Sequence, residues 1–288
     1  MKNQYFGDVG DYGKYAMLRY LAKDGIKIAI NWYLTEDDGS NDGKFTSYLE
    51  KEDMRQYDQE LFDILKKMVA DRKRNVASLS ESGVISNATY YDAILTDGKN
   101  QRATWHEEAL KACNDAELVF LDPDNGATES KGGKNSSKFC FPEEIADYYN
   151  AGHNIVYYCQ KARRTYEQWE EAKGLMQKYL PDCKIFVITY HKGTQRSYIF
   201  VLHKEDFRRY ATLMTNFCRK WFRIFTEENV GNGKISGGFT GEKFHVVNSK
   251  GVELTIEEQE DGTVRMKRSD QPTKSSIISI DYFMDLLK

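Results

Sequence analysis

The feature that most constrains this chain is a short apolar run inside residues 116–126, AELVFLDPDNG. Four consecutive apolar residues, 118–121, lead directly into turn-forming residues, which is typical of a strand buried on both faces of a parallel sheet. Pro123 has no N–H to donate and so ends the strand. Parallel sheets carry their functional groups at the carboxyl ends of their strands. The candidate catalytic residues are therefore Asp122, Pro123, Asp124 and Asn125. An ordinary turn at the end of a strand is the alternative interpretation.

Strand-like and helix-like segments alternate through residues 1–222. Asp11 is placed to cap a helix that runs to about Lys23, and residues 26–34, IKIAINWYL, have the composition of a first buried strand. Alternation of this kind predicts an α/β domain in which helices cover a mostly parallel, Rossmann-like sheet.

Two later strands give the predicted sheet a distinctive end. Residues 183–190 and 197–203 are separated by six residues. A connection this short cannot make a parallel crossover, so we expect the two strands to pair antiparallel. Short alternating runs among glycines follow, and they predict a small β-rich C-terminal region over residues 223–288.

The charge balance is nearly even but unevenly distributed. The net charge of −3 gives no overall signature of a nucleic-acid-binding protein. Residues 36–60 hold nine acids against three bases, whereas residues 159–223 hold fourteen bases against six acids. The basic segment predicts contacts with the phosphates of RNA or DNA, and ordinary solvent-exposed surface charge is the alternative interpretation. The candidate residues are Lys161, Arg163, Arg164, Lys192 and Arg196.

Cysteine spacing and hydropathy indicate the cellular compartment in which the protein works. The five cysteines are far apart and include no C-x-x-C pair, which disfavours a zinc site or a disulfide framework. The N-terminus has no apolar targeting segment, and no run approaches 18 apolar residues. These patterns predict a cytoplasmic protein without a membrane span.

Three segments carry a resemblance to known proteins, over roughly residues 5–203. Residues 7–15, GDVGDYGKY, resemble the opening helix of class I S-adenosylmethionine-dependent methyltransferases of the ribosomal RNA adenine-N6, RlmJ-like type. Residues 122–125, DPDN, stand where those enzymes have D-P-P-Y. Residues 156–158 with the two arginines after them are similar to the enzymes' fifth strand and its exit. The three-Cys-motif partner proteins look like looser relatives, and bacterial proteins that share the N-terminal segment and FLDPDNG look closer still.

The resemblance implies amino-group methylation of nucleic acid with S-adenosylmethionine as cofactor. The Asp122 carboxylate and the Pro123 carbonyl would accept hydrogen bonds from an exocyclic amine and orient its lone pair toward the methyl donor. Asp124 or Asn125 would add a third contact. The residues implied to contact the cofactor are Lys14, Tyr15, Asn31, Thr35, Glu36, Asp37, Gly39 and Asp97.

The chain departs from this family at two places. The first strand opens into TEDDGSNDG, with two glycines and four acids, instead of a G-x-G-x-G loop that lets the backbone approach the cofactor. DPDN also lacks the aromatic residue that would stack on a base drawn out of its helix. A non-catalytic binding protein built on the methyltransferase fold is therefore an alternative hypothesis.

A metal-dependent nuclease is a further alternative. Carboxylates flank the opening helix, the loop after the first strand and the end of the central strand. Oxygen ligands of this kind suit Mg²⁺ or Mn²⁺, and two such ions would support phosphodiester hydrolysis. The acids concerned are Asp8, Asp11, Glu36, Asp37, Asp38, Asp42, Asp122 and Asp124.

Overall fold

The computed structural model describes residues 1–40, 43, 45–96, 98–131, 135–228, 243–247, 253–258, 263–269 and 271–279. The chain divides into two compact units, Met1–Gly231 and Asn232–Lys288. No helix in these described ranges is long and apolar enough to cross a membrane.

The first unit is built on a mixed sheet, seven-stranded over the described residues. Its strands are β1 (Ile28–Asn31), β2 (Ala88–Tyr91), β3 (Leu118–Leu121), β4 (Asn154–Gln160), β5 (Lys184–Tyr190), β6 (Arg196–Leu202) and β7 (Phe225–Glu228), in the spatial order β2-β1-β3-β4-β6-β5-β7. The four strands from β2 to β4 run parallel. β6 pairs antiparallel with both β4 and β5, and β7 pairs antiparallel with β5. The predicted antiparallel pairing of the two late strands is confirmed.

Helices connect these strands. They are α1 (Val9–Lys23), α2 (Glu52–Arg55), α3 (Gln59–Ala70), α4 (Val76–Ser82), α5 (Lys99–Ala112), α6 (Pro142–Asn150), α7 (Tyr166–Lys173) and α8 (Phe207–Lys220). The unit is therefore an α/β structure with a parallel region and an antiparallel edge. The boundary expected at residue 222 falls before β7, which completes the sheet.

The central strand β3 is buried on both faces, as predicted. All four of its residues are fully buried, and β3 lies between β1 and β4. Alternate strand residues face opposite sides of a sheet. Accordingly Phe120 packs in the core that contains Leu18 of α1, and Leu121 packs in the core that contains Ile145 of α6.

The opening helix begins earlier than predicted. Its N-cap is Asp8, not Asp11, because Asp8 has extended backbone angles and its side chain accepts a hydrogen bond from the Asp11 N–H at 2.9 Å. Asp11 therefore lies in the first turn, where its carboxylate is available to other partners. Farther along the helix, a Cβ atom at Gly13 would lie 2.6 Å from the ring of Tyr190, so a glycine is needed for α1 to approach β5 this closely.

The first strand is shorter than predicted. β1 ends at Asn31, and two residues later Tyr33 has a φ of 45°, which is incompatible with a continuing strand. The Asn31 side chain accepts a hydrogen bond from the Tyr33 N–H and stabilises this bend. The chain consequently leaves the sheet before the acidic loop.

The second unit contains a separate four-stranded sheet over the described residues. Its strands are β8 (Lys243–Val247), β9 (Glu253–Glu258), β10 (Thr263–Arg268) and β11 (Gln271–Ser279). They follow the order β11-β10-β9-β8, and each neighbouring pair is antiparallel.

Candidate functional site

The carboxyl end of β3 opens into a cavity of about 340 Å³. The Asp122 N–H donates to the Asn31 carbonyl at 3.0 Å, which extends the ladder by one residue before Pro123 ends it. Asp122, Pro123, Asp124 and Asn125 all line the cavity. Most of the rest of its wall comes from the N-terminal segment, the first turns of α1, the end of β4 and the start of β6. The four candidate catalytic residues therefore share one site.

Lys14 joins α1 to the end of β3. Its ammonium nitrogen lies 2.8 Å from Asp11 Oδ1 and 2.7 Å from Asp122 Oδ2, and all three side chains are buried. Burial favours the neutral amine, but the two carboxylates outweigh burial and raise the pKa of Lys14 above its ordinary value. Lys14 is therefore a permanent cation on the cavity wall.

Asp11 is held by further donors on its other side. Its Oδ2 accepts hydrogen bonds from the Tyr15 hydroxyl at 2.9 Å and from the Gly7 N–H at 3.0 Å. Tyr15 is fully buried and does not line the cavity. Asp11 and Tyr15 thus fix the position of the Lys14 ammonium.

A second ion pair connects α1 to β6. Asp8 Oδ2 accepts from the Arg196 guanidinium at 3.1 Å, and Arg196 begins β6 opposite Gln160. A Cβ atom at Gly10 would lie 2.2 Å from Arg196 Cζ, so a larger residue at this position would require the guanidinium to move. Burial and the neighbouring Asp11 carboxylate raise the pKa of Asp8, and Arg196 offsets part of that effect.

Asp124 retains an unpaired oxygen. Its Oδ1 lies 2.8 Å from the Met1 ammonium, which also donates to the backbone carbonyls of Tyr33 and Asp122. The side chain is 9% exposed, and its Oδ2 is buried without a hydrogen-bond partner in the part of the chain that the structure describes. A buried acceptor without a donor is costly, and a ligand N–H or O–H group would satisfy it.

Residues 35–40 of the acidic loop after β1 do not line the cavity, whereas Gly43 at the end of the loop does. The Thr35 N–H donates to the Met1 carbonyl at 2.9 Å, Asp37 accepts from the Gln4 N–H at 3.0 Å, and Asp38 pairs with Lys2. Thr35, Asp37 and Asp38 of this loop are therefore already bonded to the N-terminal segment. The pKa of Asp38 lies well below its usual range, mainly because Lys2 donates to its carboxylate.

The predicted cofactor residues are thus divided by the fold. Lys14 lines the cavity, and Tyr15 holds Asp11, the partner of Lys14. Five other residues do not line the cavity: Asn31, Thr35, Glu36, Asp37 and Gly39. The Asn31 amide donates instead to the Tyr148 hydroxyl at 3.1 Å. Asp97 lies outside the described residues.

Two of the predicted basic residues line a second cavity. This cavity has a volume of about 310 Å³ and includes Arg163 and Arg164. Asn125 and Gln160 belong to the walls of both cavities, and Arg164 donates to the Gln160 carbonyl. The basic residues that follow β4 therefore lie next to the acidic residues that follow β3.

The other predicted basic residues have different environments. Lys161 is half-buried and lines neither cavity, and Lys192 is exposed at the tip of the β5–β6 hairpin. Arg196 lines the first cavity, where it is paired with Asp8 and largely buried. Arg196 is therefore part of the site rather than of an open basic surface.

Several wall residues were not singled out from the sequence. Tyr158 lines the first cavity, whereas its neighbour Tyr157 packs in the core on the opposite face of the sheet. Strand alternation is the signal that distinguishes these two tyrosines. Phe45 and Lys138 also line the cavity, and no local pattern predicts either one.

A buried ion pair positions Lys138. The Arg102 guanidinium donates to Glu144 at 2.6 and 2.8 Å and to the carbonyls of Ser136 and Phe139. The segment that it holds provides the Lys138 carbonyl, which accepts from the Asn125 N–H at 2.9 Å. The Arg102–Glu144 ion pair thus stabilises the turn after β3 through the segment that contains Lys138.

The carboxylates at the site are balanced by cations. Asp8 pairs with Arg196, and Asp11 and Asp122 share Lys14. Among the described residues, no group of three or more His, Cys, Asp or Glu side chains has an arrangement that could hold a metal ion. Asp42, one of the acids in the nuclease hypothesis, lies outside those residues.

No protein-family model matches this chain, and a search of curated proteins finds no match to it. The functional interpretation therefore depends on the sheet order and the geometry of the site.

Proposed function

We propose that this protein is a methyltransferase that uses S-adenosylmethionine to methylate an amino group in RNA or DNA. The observation that carries the proposal is the contact between Lys14 of the opening helix and Asp122 at the end of β3, 2.7 Å apart on the wall of one cavity. The sequence resemblance implies that these two segments meet at the reacting groups.

The sheet order supports a Rossmann-like, class I methyltransferase-like fold. Parallel strands β2, β1, β3 and β4 are followed by β6, which inserts antiparallel between β4 and β5. An antiparallel strand inserted in this way is the layout that the resemblance implies, and β7 adds a further antiparallel strand at the edge of the sheet. Fold alone does not assign a reaction, so the proposal also requires the site.

The charges of the cavity fit the cofactor. S-adenosylmethionine carries an amino-acid group with one carboxylate and one ammonium, and its sulfonium supplies the methyl group. The wall offers cations at Lys14 and Arg196 and carboxylates at Asp8 and Asp124. The volume of about 340 Å³ falls within the range of small-molecule sites. Lys14 and Arg196 would hold the carboxylate of the cofactor while they keep their ion pairs with Asp122 and Asp8.

Asp122 and Pro123 would position the amine. The Asp122 carboxylate and the Pro123 carbonyl accept its N–H groups and direct its lone pair toward the methyl donor, so that catalysis is largely a matter of orientation. Lys14 holds the carboxylate in place through Oδ2. Burial raises the pKa of Asp122 although Lys14 lowers it, which favours transfer of the departing amine proton to this carboxylate.

The second cavity supports nucleic acid as the substrate class. Arg163 and Arg164 lie next to the proposed reacting groups, because the two cavities share Asn125 and Gln160. Guanidinium groups bind phosphates through paired hydrogen bonds. A nucleic acid whose phosphates contact this arginine pair would place its bases near the first cavity.

Calorimetry with the full chain tests the proposal. We expect S-adenosylmethionine to release or absorb heat on binding and to support methyl transfer to a mixed RNA and DNA pool. The substitution Asp122→Asn should lower the methylation rate by about 10²–10³-fold, as does the removal of one transition-state hydrogen bond. The matched control is Asp71→Asn, at the exposed end of α3. Absence of both binding heat and thermal shift with S-adenosylmethionine would overturn the proposal.

A further inference from the structure

Phe45 is an exposed aromatic residue on the wall of the first cavity. Its side chain is 60% exposed. Three other large hydrophobic residues among those described are similarly exposed, Ile94, Tyr166 and Phe222, and none of them lines either cavity. An apolar ring beside a polar site offers a surface against which a planar ligand can stack.

The backbone of Phe45 is held in place while its ring stays open to solvent. Its carbonyl accepts the Val9 N–H at 3.0 Å, which ties the residue to the first turn of α1. A ring on an anchored backbone loses less conformational freedom on binding than a ring on a mobile loop. Phe45 is thus positioned before a ligand arrives.

Asp124 provides the second observation, independent of Phe45. It lines the same cavity, and its side chain is 9% exposed. Met1 occupies Oδ1, but the buried Oδ2 has no partner among the described residues. A carboxylate oxygen only accepts hydrogen bonds, so the missing partner must be a donor.

We propose that Phe45 and Asp124 form a subsite for a nucleobase that carries an amino group. The ring of Phe45 stacks on the base, and Asp124 Oδ2 shares with the Pro123 carbonyl one of the two N–H groups of its exocyclic amine. The inference rests on the proposed function, because it names the group presented for methylation. Adenine, cytosine and guanine have such an amine, whereas uracil and thymine do not. Phe45 would supply the aromatic surface that the DPDN turn lacks.

Nucleotide binding by the full chain tests this subsite. Isothermal titration with AMP, CMP and UMP compares bases that share the same ribose phosphate. We expect UMP to bind at least tenfold more weakly than AMP or CMP. Phe45→Ala should weaken AMP binding about tenfold, in line with the loss of one base–aromatic stack, and Phe45→Tyr should retain it. Asp124→Asn should reduce the preference for AMP over UMP, because an amide can also donate to a uracil carbonyl.

Phe222→Ala is the matched control. It removes the same ring from a residue that is 47% exposed and outside both cavities. Its AMP affinity should equal that of the unsubstituted protein. Equal affinities for AMP and UMP, no binding of any nucleotide, or equal AMP binding by Phe45→Ala and the unsubstituted protein would each overturn the subsite.

The subsite and the proposed reaction can fail separately. If AMP binding depends on Phe45 but S-adenosylmethionine gives no heat, the subsite stands and the methyltransferase proposal fails. If the protein methylates nucleic acid and Phe45→Ala does so with unchanged KM and kcat, the reaction stands and the subsite fails.

Discussion

At the scale of single residues, the site depends on Lys14. A buried ammonium is stable only when opposite charges and hydrogen bonds replace its water, and Asp11 and Asp122 provide both at 2.8 and 2.7 Å. The same contacts hold Asp122 at the cavity wall. Stability and the proposed chemistry therefore share one side chain.

Lys14→Met should destabilise the protein strongly. The substitution leaves two buried carboxylates without their cation, a change that typically costs about 3–5 kcal/mol. Urea unfolding followed by tryptophan fluorescence measures the free energy of unfolding. Adding Asp122→Asn to Lys14→Met should recover part of the loss, because one uncompensated charge is then removed.

Lys23→Met provides the comparison for this substitution. Lys23 is exposed in the last turn of the same helix, so its replacement should change the free energy of unfolding by no more than about 0.5 kcal/mol. Equal losses at positions 14 and 23 would show that the ion pairs of Lys14 are not needed for folding.

At the scale of elements, a second buried polar cluster joins α7 to the last two strands of the sheet edge. Glu228 on β7 accepts from the indole N–H of Trp169 at 2.8 Å, lies 3.4 Å from the Lys173 ammonium, and accepts from the Thr189 hydroxyl on β5. Burial favours the neutral acid, but these donors and Lys173 outweigh burial and lower the pKa of Glu228.

This lowered pKa predicts a loss of stability in acid. A carboxyl group whose pKa is lower in the folded state stabilises the protein above its unfolded-state pKa, and that stabilisation disappears as the pH falls through the folded-state pKa. Glu228→Gln should lower the free energy of unfolding by about 1–2 kcal/mol at pH 7 and show a smaller decrease on acidification from about pH 5 to pH 3.

Glu227→Gln is the control for Glu228→Gln. Glu227 is the preceding residue on β7 and is exposed. Its substitution should leave the acid dependence of stability unchanged. Parallel pH profiles for Glu228→Gln and the unsubstituted protein would contradict the role assigned to this cluster.

At the scale of the whole molecule, the two cavities and the seven-stranded sheet all belong to Met1–Gly231. All four tryptophans, Trp32, Trp105, Trp169 and Trp221, lie in this unit as well. Tryptophan fluorescence therefore monitors the unfolding of the first unit in the complete chain.

A chain that ends after Gly231 should fold cooperatively. It retains β7 and the Glu228 contacts, so we expect its Tm by tryptophan fluorescence to lie within about 4 °C of the complete chain. A chain that ends after residue 222 lacks β7 and should be less stable. An aggregated product from the longer truncation, or equal Tm values for both truncations, would contradict this division of the chain.

The local elements could be predicted from patterns of neighbouring residues. The apolar run 118–121, bounded by turn residues, predicted a strand buried on both faces, and the short connection before residue 197 required an antiparallel pair. The proline and turn residues after Leu121 placed Asp122 at a strand end. These features depend on neighbours in the chain, so periodicity and turn chemistry were sufficient to predict them.

Long-range packing, in contrast, determines which polar groups share the cavity. Nothing near Thr35 in the sequence shows that its loop pairs with the N-terminal segment, or that Arg196 turns inward to Asp8. Phe45 is also placed at the cavity wall by a contact between distant parts of the chain, because its carbonyl accepts a hydrogen bond from the Val9 N–H of α1. Charged groups take the partners that packing brings within about 3 Å, and those partners come from distant parts of the chain.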